Sequence, residues 1–228
     1  MTMRRSMRFA GGQQGLSTDA LIDALAGDAA TSPARSPRRT LALAVGAGTF
    51  VSAIAMLALL GVRPDMATAL PTFGFWIKLA FPLGIAIAGL MAFDRLGRPG
   101  ARAGGGYRVG LAVVAVMVLL AATQLTLAPA GQMRTLVMGH TLDHCTALIA
   151  LLSLPILAGG LYAMRQMAPT RLRLAGAAVG VTAGALSAFV YAIACDETAL
   201  PFIALWYGLS IALVGLVSAL LGPRLLRW

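Results

Sequence analysis

Six long runs of apolar residues dominate the chain and predict its secondary structure. An α-helix rises about 1.5 Å per residue, so it needs about 20 apolar residues to cross a hydrocarbon core roughly 30 Å thick. None of the runs alternates with the period of two that a membrane β-strand requires. We therefore predict an all-α polytopic membrane protein, built as a six-helix transmembrane bundle. The predicted spans are residues 41–60, 73–93, 109–128, 145–164, 174–195 and 200–221.

The composition excludes a water-soluble globule. Of the 228 residues, 59% are apolar and only 11% are charged, against roughly 45–50% and 25% in soluble domains. So few charged side chains cannot cover the surface of a soluble fold of this size. The remaining apolar surface is therefore expected to contact membrane lipid.

The basic residues predict an orientation in the membrane. Of the 18 Lys and Arg residues, 15 lie in the amino-terminal segment, the loops after the second and fourth spans, and the carboxyl tail, whereas the opposite loops hold only Arg63 and Arg134. Because loops retained in the cytoplasm accumulate basic residues, both termini are expected in the cytoplasm of a bacterium, with the bundle in its inner membrane. The net charge of +10 is thus assigned to orientation and not to nucleic-acid binding. The last cation, Lys78, lies inside the second span and is expected to snorkel toward the interface.

The first 39 residues form the longest stretch outside the predicted spans, and residues 40–228 form the transmembrane domain. Ser17 suits the N-cap of a short helix over residues 17–27, and residues 29–39 read as a basic linker rich in proline and serine. About ten residues are marginal as an isolated helix in water, so this helix is expected to order against a partner protein. The alternative is a helix that lies on the membrane surface. The residues expected to bind the partner are Leu21, Ile22 and Leu25, which share one apolar face, and the neighbouring Asp19 and Asp23.

The two cysteines, Cys145 and Cys195, fall at the predicted outer ends of the fourth and fifth spans. A short turn joins these spans, so both thiols are expected at the same depth on the oxidising side of the membrane. A structural disulfide is one interpretation, provided that the Cα atoms come within about 7 Å. A soft-metal site is another, because thiolate, imidazole and carboxylate ligands suit such ions. Its ligands would be Cys145, Cys195, His140, His144 and Glu197.

These features resemble the NrsF-type family of membrane anti-sigma factors. The shared features are the amino-terminal LIDALA segment with its basic linker, the six spans, two cysteines fifty positions apart, and the CDExxxPFxxxWY stretch from Cys195 to Tyr207. The resemblance covers residues 16–225. It implies transcription regulation in which the cytoplasmic amino terminus holds an ECF-type sigma factor at the membrane. It also implies that Cys145 and Cys195 sense heavy-metal or oxidative stress.

The resulting hypothesis is a regulator without catalytic residues, in which a change at the cysteines moves the fourth and fifth helices and lowers the affinity for the sigma factor. No serine–histidine–acid set, HExxH motif or pair of intramembrane carboxylates occurs in the sequence. No resident cofactor is expected, and a heavy-metal ion bound transiently by the cysteine pair is left open. Two alternatives also stay open. A thiol–quinone oxidoreductase normally needs a closer cysteine pair and a second pair to relay electrons, and a small metal or solute transporter would lack carboxylates for coupling.

Overall fold

A computed structural model describes residues 17–20, 22–23, 27, 37–98, 104–140 and 142–227. Within these ranges every regular element is helical, and six helices are long and apolar enough to cross a membrane. The predicted fold class, an all-α polytopic bundle, is confirmed. The six helices are α1 (Pro37–Leu59), α2 (Phe73–Leu96), α3 (Gly104–Leu127), α4 (Leu142–Gln166), α5 (Leu172–Tyr191) and α6 (Leu200–Leu225).

Most helix ends differ by one to five residues from the predicted ones, and two of these differences concern the candidate functional residues or the linker. In the structure α1 begins at Pro37, so Arg38 and Arg39 belong to its first turn and not to the linker. Proline is favoured at the start of a helix, because its fixed φ suits the helix and its missing N–H is not needed there. The second difference is at the end of α5. This helix ends at Tyr191, and Cys195 lies in the loop that follows instead of closing the helix.

The centre of the bundle is α5, which packs against α1, α2, α4 and α6 and is the most buried of the six. Small residues allow this close packing. A Cβ atom added at Gly180 would approach the Val214 backbone carbonyl of α6 to 2.7 Å, and one at Gly89 of α2 would meet the backbone of Thr182. Membrane helices associate through such small residues, because lipid provides little hydrophobic drive for helix pairing.

The other helices surround α5 unequally. Along its length α1 packs mainly on α4, while α3 packs on α2 and on the first residues of α6. Large apolar side chains of α3 are exposed over most of its length, as expected of a surface that faces lipid. The start of α6 contains a π-helical turn, Ile203–Tyr207.

The amino-terminal segment is helical where it is described. Thr18, Asp19 and Ala20 are helical, and the Ser17 hydroxyl accepts a hydrogen bond from the Ala20 N–H at 3.2 Å, which is the geometry of an N-cap. Ile22 is 56% exposed, and the side chains of Asp19 and Asp23 are exposed as well. Two of the residues expected to bind a partner, Leu21 and Leu25, lie outside the described residues.

Candidate functional site

Both cysteines lie at one end of the bundle, where α4 begins and α5 ends; we call it the cysteine end. Cys145 is in the first turns of α4 and is 0% exposed, and Cys195 is in the loop of residues 192–199 and is 4% exposed. The two side chains belong to one buried cluster, and both are free thiols. The structure therefore brings the predicted pair together in an apolar interior, without the structural disulfide that was one interpretation.

Two tyrosines complete the surroundings of the thiols. Tyr191, the last residue of α5, and Tyr207, at the end of the π-helical turn, pack in the same buried cluster as both cysteines. Their ring centroids are 6.1 Å apart, and the rings are tilted by 51°. Among the described residues the Tyr207 hydroxyl has no hydrogen-bond partner. A buried hydroxyl without a partner is uncommon, and here it lies in the cluster that contains the thiols.

Lys78 holds the backbone of the cysteine loop. Its side chain is 0% exposed, and its Nζ atom donates hydrogen bonds of 2.6 Å to the carbonyl oxygens of both Cys195 and Glu197. The expectation that Lys78 snorkels to the interface is therefore wrong. The reason is that α5 ends at Tyr191 and frees carbonyl groups in the next residues, and an ammonium group inside a membrane protein needs such acceptors.

Arg63 provides a second cation to the same carbonyl. Its Nη1 atom donates to the Cys195 oxygen at 3.3 Å, while Nε and Nη2 form a fork with the Asp65 carboxylate at 2.7 and 2.6 Å. These hydrogen bonds hold the pKa of the Asp65 carboxyl below its usual value and raise the pKa of the Arg63 guanidinium. The loop between α1 and α2 is thus tied to the loop that carries Cys195.

The predicted metal ligands are only partly assembled. The side chains of His140 and His144 are exposed, whereas the two thiols are buried. The Glu197 carboxylate accepts a hydrogen bond from the backbone N–H of His140 and so contacts that residue away from its imidazole. Within the described part of the chain, no three His, Cys, Asp or Glu side chains are placed to hold one metal ion.

An ion-pair group lies at the opposite end of the bundle, where α1 begins and α2 ends; we call it the arginine end. The Arg38 Nε and Nη2 atoms each lie 3.1 Å from an oxygen of Asp94, so the first turn of α1 is joined to the last turns of α2. Arg98, just beyond the end of α2, also donates to Asp94, at 3.1 Å. One carboxylate thus links two helices and the loop that follows.

Comparison with known proteins identifies the family. The family model described as negative regulator of sigma F matches residues 25–228. The chain belongs to this family. It is 38% identical over 212 residues to the anti-sigma-F factor NrsF of Caulobacter vibrioides (strain NA1000 / CB15N). This alignment covers 92% of this chain and 99% of that protein. It is 40% identical over 214 residues to the probable anti-sigma-F factor NrsF of Azospira oryzae (strain ATCC BAA-33 / DSM 13638 / PS), with coverages of 93% and 100%. No solved structure matches the chain.

The family resemblance drawn from the sequence is confirmed, but four residues around the cysteines were missed or misjudged. They are Lys78, Arg63, Tyr191 and Tyr207. A lysine within an apolar span was a signal for Lys78, since such charges usually face the bundle interior. Tyr207 lay inside the CDExxxPFxxxWY stretch, whereas nothing in the local sequence marked Arg63 or Tyr191.

Proposed function

We propose that this member of the family is a membrane-bound anti-sigma factor, a regulator and not an enzyme. It would hold an ECF-type sigma factor through its amino-terminal segment and release it when Cys145 and Cys195 react with an oxidant or bind a soft metal ion. The observation that carries the proposal is the match over residues 25–228 to negative regulators of sigma F, together with two relatives that align over nearly their whole length.

The distribution of charge supports the proposed orientation. The arginine end carries residues such as Arg38, Arg98, Arg165 and Arg224, and the rule for basic loops assigns this end to the cytoplasm. The amino-terminal segment enters α1 at this end. The cysteine end would then face the periplasm of a bacterium with this protein in its inner membrane, where thiols meet an oxidising environment.

The amino-terminal helix offers a small surface for a partner. The exposed Ile22 side chain and the exposed carboxylates of Asp19 and Asp23 share the helix with the predicted apolar face of Leu21 and Leu25. A capped helix this short gains most of its stability from a partner. Binding a sigma factor would supply that partner and keep the sigma factor away from RNA polymerase.

The cysteine cluster suits two sensing reactions. Hydrogen peroxide would oxidise the two thiols to a disulfide. A bond forms between the two sulfur atoms, the O–O bond breaks, and the two protons and two electrons lost by the thiols convert the peroxide to two water molecules. A soft metal ion could instead bind both thiolates with release of two protons. Either product changes the apolar cluster around Cys145 and Cys195. A hundredfold fall in affinity for the sigma factor requires about 2.7 kcal/mol of coupling between the two sites.

The test of the binding role uses the full chain with an affinity tag, purified from membranes of the native bacterium. A sigma factor should copurify with the wild type. Ile22→Asp should reduce its recovery at least about tenfold, because a charge would be buried against the partner. Ala20→Asp adds the same charge on the opposite face of the helix and should retain the sigma factor. The binding role is refuted if no sigma factor is recovered, or if the two variants recover it equally.

The test of the sensing role uses the same complex. Hydrogen peroxide or Cd²⁺ should release the sigma factor from the wild type, while the protein with Cys145→Ala and Cys195→Ala should retain it. Release from the double variant at the wild-type dose would show that the cysteines are not the sensor and would leave the binding role intact.

A further inference from the structure

The cysteine loop and α2 are joined by a buried contact. Lys78 of α2 donates to the carbonyls of Cys195 and Glu197, which flank Asp196 in the loop. A buried ammonium group that loses these acceptors has no water to replace them. The loop backbone at Cys195 therefore cannot move far unless the Lys78 side chain, or α2 itself, moves with it.

The sequence of α2 places a weak point next to this contact. Pro82 lies inside the helix, one turn after Lys78, and is buried. A proline cannot donate the helical hydrogen bond to the carbonyl four residues earlier, which here is that of Lys78. Helices bend at such positions, so a displacement at Lys78 can change the direction of the remainder of α2.

The other end of α2 is joined to α1. Asp94 lies 16 residues after Lys78, about 24 Å along the helix axis, and its carboxylate forms the fork with Arg38 in the first turn of α1. In the sequence, this turn follows the amino-terminal segment. One helix thus contacts the backbone of Cys195 near one end and the first turn of α1 at the other.

Cys145 is linked to α1 by another contact. Cys145 lies on α4, and α4 packs on α1 at Gly48, where an added Cβ would come within 2.7 Å of the Ile156 Cα atom. Cys145 is therefore linked to α1 through α4. Cys195 is linked to α1 by way of Lys78, α2 and Asp94, and also by Arg63 in the loop that follows α1.

We propose that α2 transmits the state of the cysteine end to α1, with Lys78 and Asp94 as the positioning residues at its two ends. Reaction of the Cys195 thiol shifts the backbone that Lys78 holds, α2 changes direction near Pro82, and the Arg38–Asp94 fork transfers this change to the start of α1. The biological meaning of this route rests on the proposed function, but the coupling itself is a property of the isolated chain.

The test relies on reciprocity, because an equilibrium coupling between two sites acts equally in both directions. A buried thiol is alkylated only from a locally opened form, so its alkylation rate follows such an opening equilibrium. If α2 couples them, breaking the fork at the arginine end must alter the reactivity of Cys195. The full chain in lipid nanodiscs is treated with iodoacetamide, and the alkylation rate at each cysteine is measured by mass spectrometry. Asp94→Asn should speed alkylation of Cys195 about two- to fivefold, the range expected for an ion pair at a protein surface.

Matched variants separate the route from a general loss of packing. Arg98→Gln removes the other partner of Asp94 without touching α1 and should leave the Cys195 rate at the wild-type value. Exchange of the charges, Arg38→Asp with Asp94→Arg, should restore that rate. In Lys78→Met and Lys78→Gln proteins, Cys195 should react faster than in the wild type, and the further effect of Asp94→Asn should vanish.

An unchanged Cys195 rate in Asp94→Asn would overturn the proposal, as would an equal effect of Arg98→Gln or an Asp94 effect that persists without Lys78. None of these rates needs a sigma factor. Failure of this experiment therefore leaves the proposed function standing, and failure to recover a sigma factor leaves the α2 route standing.

Discussion

Gly48 packs against backbone atoms of α4, and this contact predicts that one added methyl group destabilises the protein. A Cβ atom at Gly48 would lie 2.7 Å from the Ile156 Cα atom and 2.7 Å from the Pro155 carbonyl oxygen, whereas ordinary contacts begin at 3.4 Å. The helices must therefore separate by roughly 0.7 Å, since backbone atoms cannot rotate away as a side chain can. Overpacking of this kind costs about 1–3 kcal/mol.

A control on the same helix isolates this cost. Alanine favours a helix over glycine by about 1 kcal/mol, which would partly mask the overpacking in Gly48→Ala. Gly46→Ala makes the same replacement two residues earlier, where a new Cβ meets no atom within 4 Å. The difference in stability between the two variants therefore reports the contact with α4 alone.

Melting in detergent can be followed with a dye that fluoresces when it reacts with a thiol, because both cysteines are buried in the folded chain. For a protein of this size each kcal/mol corresponds to about 2–4 °C in the melting midpoint. Gly48→Ala should therefore melt about 2–12 °C below Gly46→Ala. Equal midpoints, or a lower one for Gly46→Ala, would refute the close packing of α1 on α4 at Gly48.

Two further predictions concern the cysteine end. A water-soluble maleimide at neutral pH should modify Cys145 and Cys195 in the intact protein on the order of a hundredfold more slowly than in the detergent-denatured chain, since buried thiols react only after local opening. Mass spectrometry of the intact protein measures the two rates. A rate at either cysteine equal to that in the denatured chain would contradict their burial. The Arg63 fork lowers the pKa of Asp65 from 3.8, so its contribution to stability is fully present above pH 3.8 and is lost as the pH falls through the lowered value. The wild type should accordingly melt higher than Asp65→Asn at pH 7, and the two midpoints should converge at the acid end of a pH series; a constant difference would show that the carboxylate is not paired.

The six spans could be predicted because the membrane imposes a strong constraint on the chain. A spanning segment must satisfy its own backbone hydrogen bonds and present apolar side chains, so each helix leaves a continuous signal in the sequence. The end of α5 was misplaced for the same reason. Residues 192–195 are as apolar as the helix before them, and hydropathy alone continues the helix through Cys195.

What ends α5 is a set of contacts distant in sequence. The Cys195 carbonyl takes its hydrogen bonds from Lys78 and Arg63, which lie more than a hundred positions earlier in the chain. No local pattern encodes such donors. The burial of Tyr191 and Tyr207 beside the thiols likewise depends on how α5 and the start of α6 pack together. The pairing of the cysteines could be predicted because it depends only on the antiparallel arrangement of α4 and α5.

The central position of α5 has a consequence for biosynthesis. Translation produces α1, α2 and α4 before the helix against which all three pack, so the bundle cannot close until the fifth span has left the ribosome. At about 5–20 residues per second, the interval between emergence of the amino-terminal segment and completion of the Cys195 loop is on the order of 10–30 s. During that interval every nascent copy exposes the segment that we propose binds the sigma factor, before the cysteine end that would control it has been made.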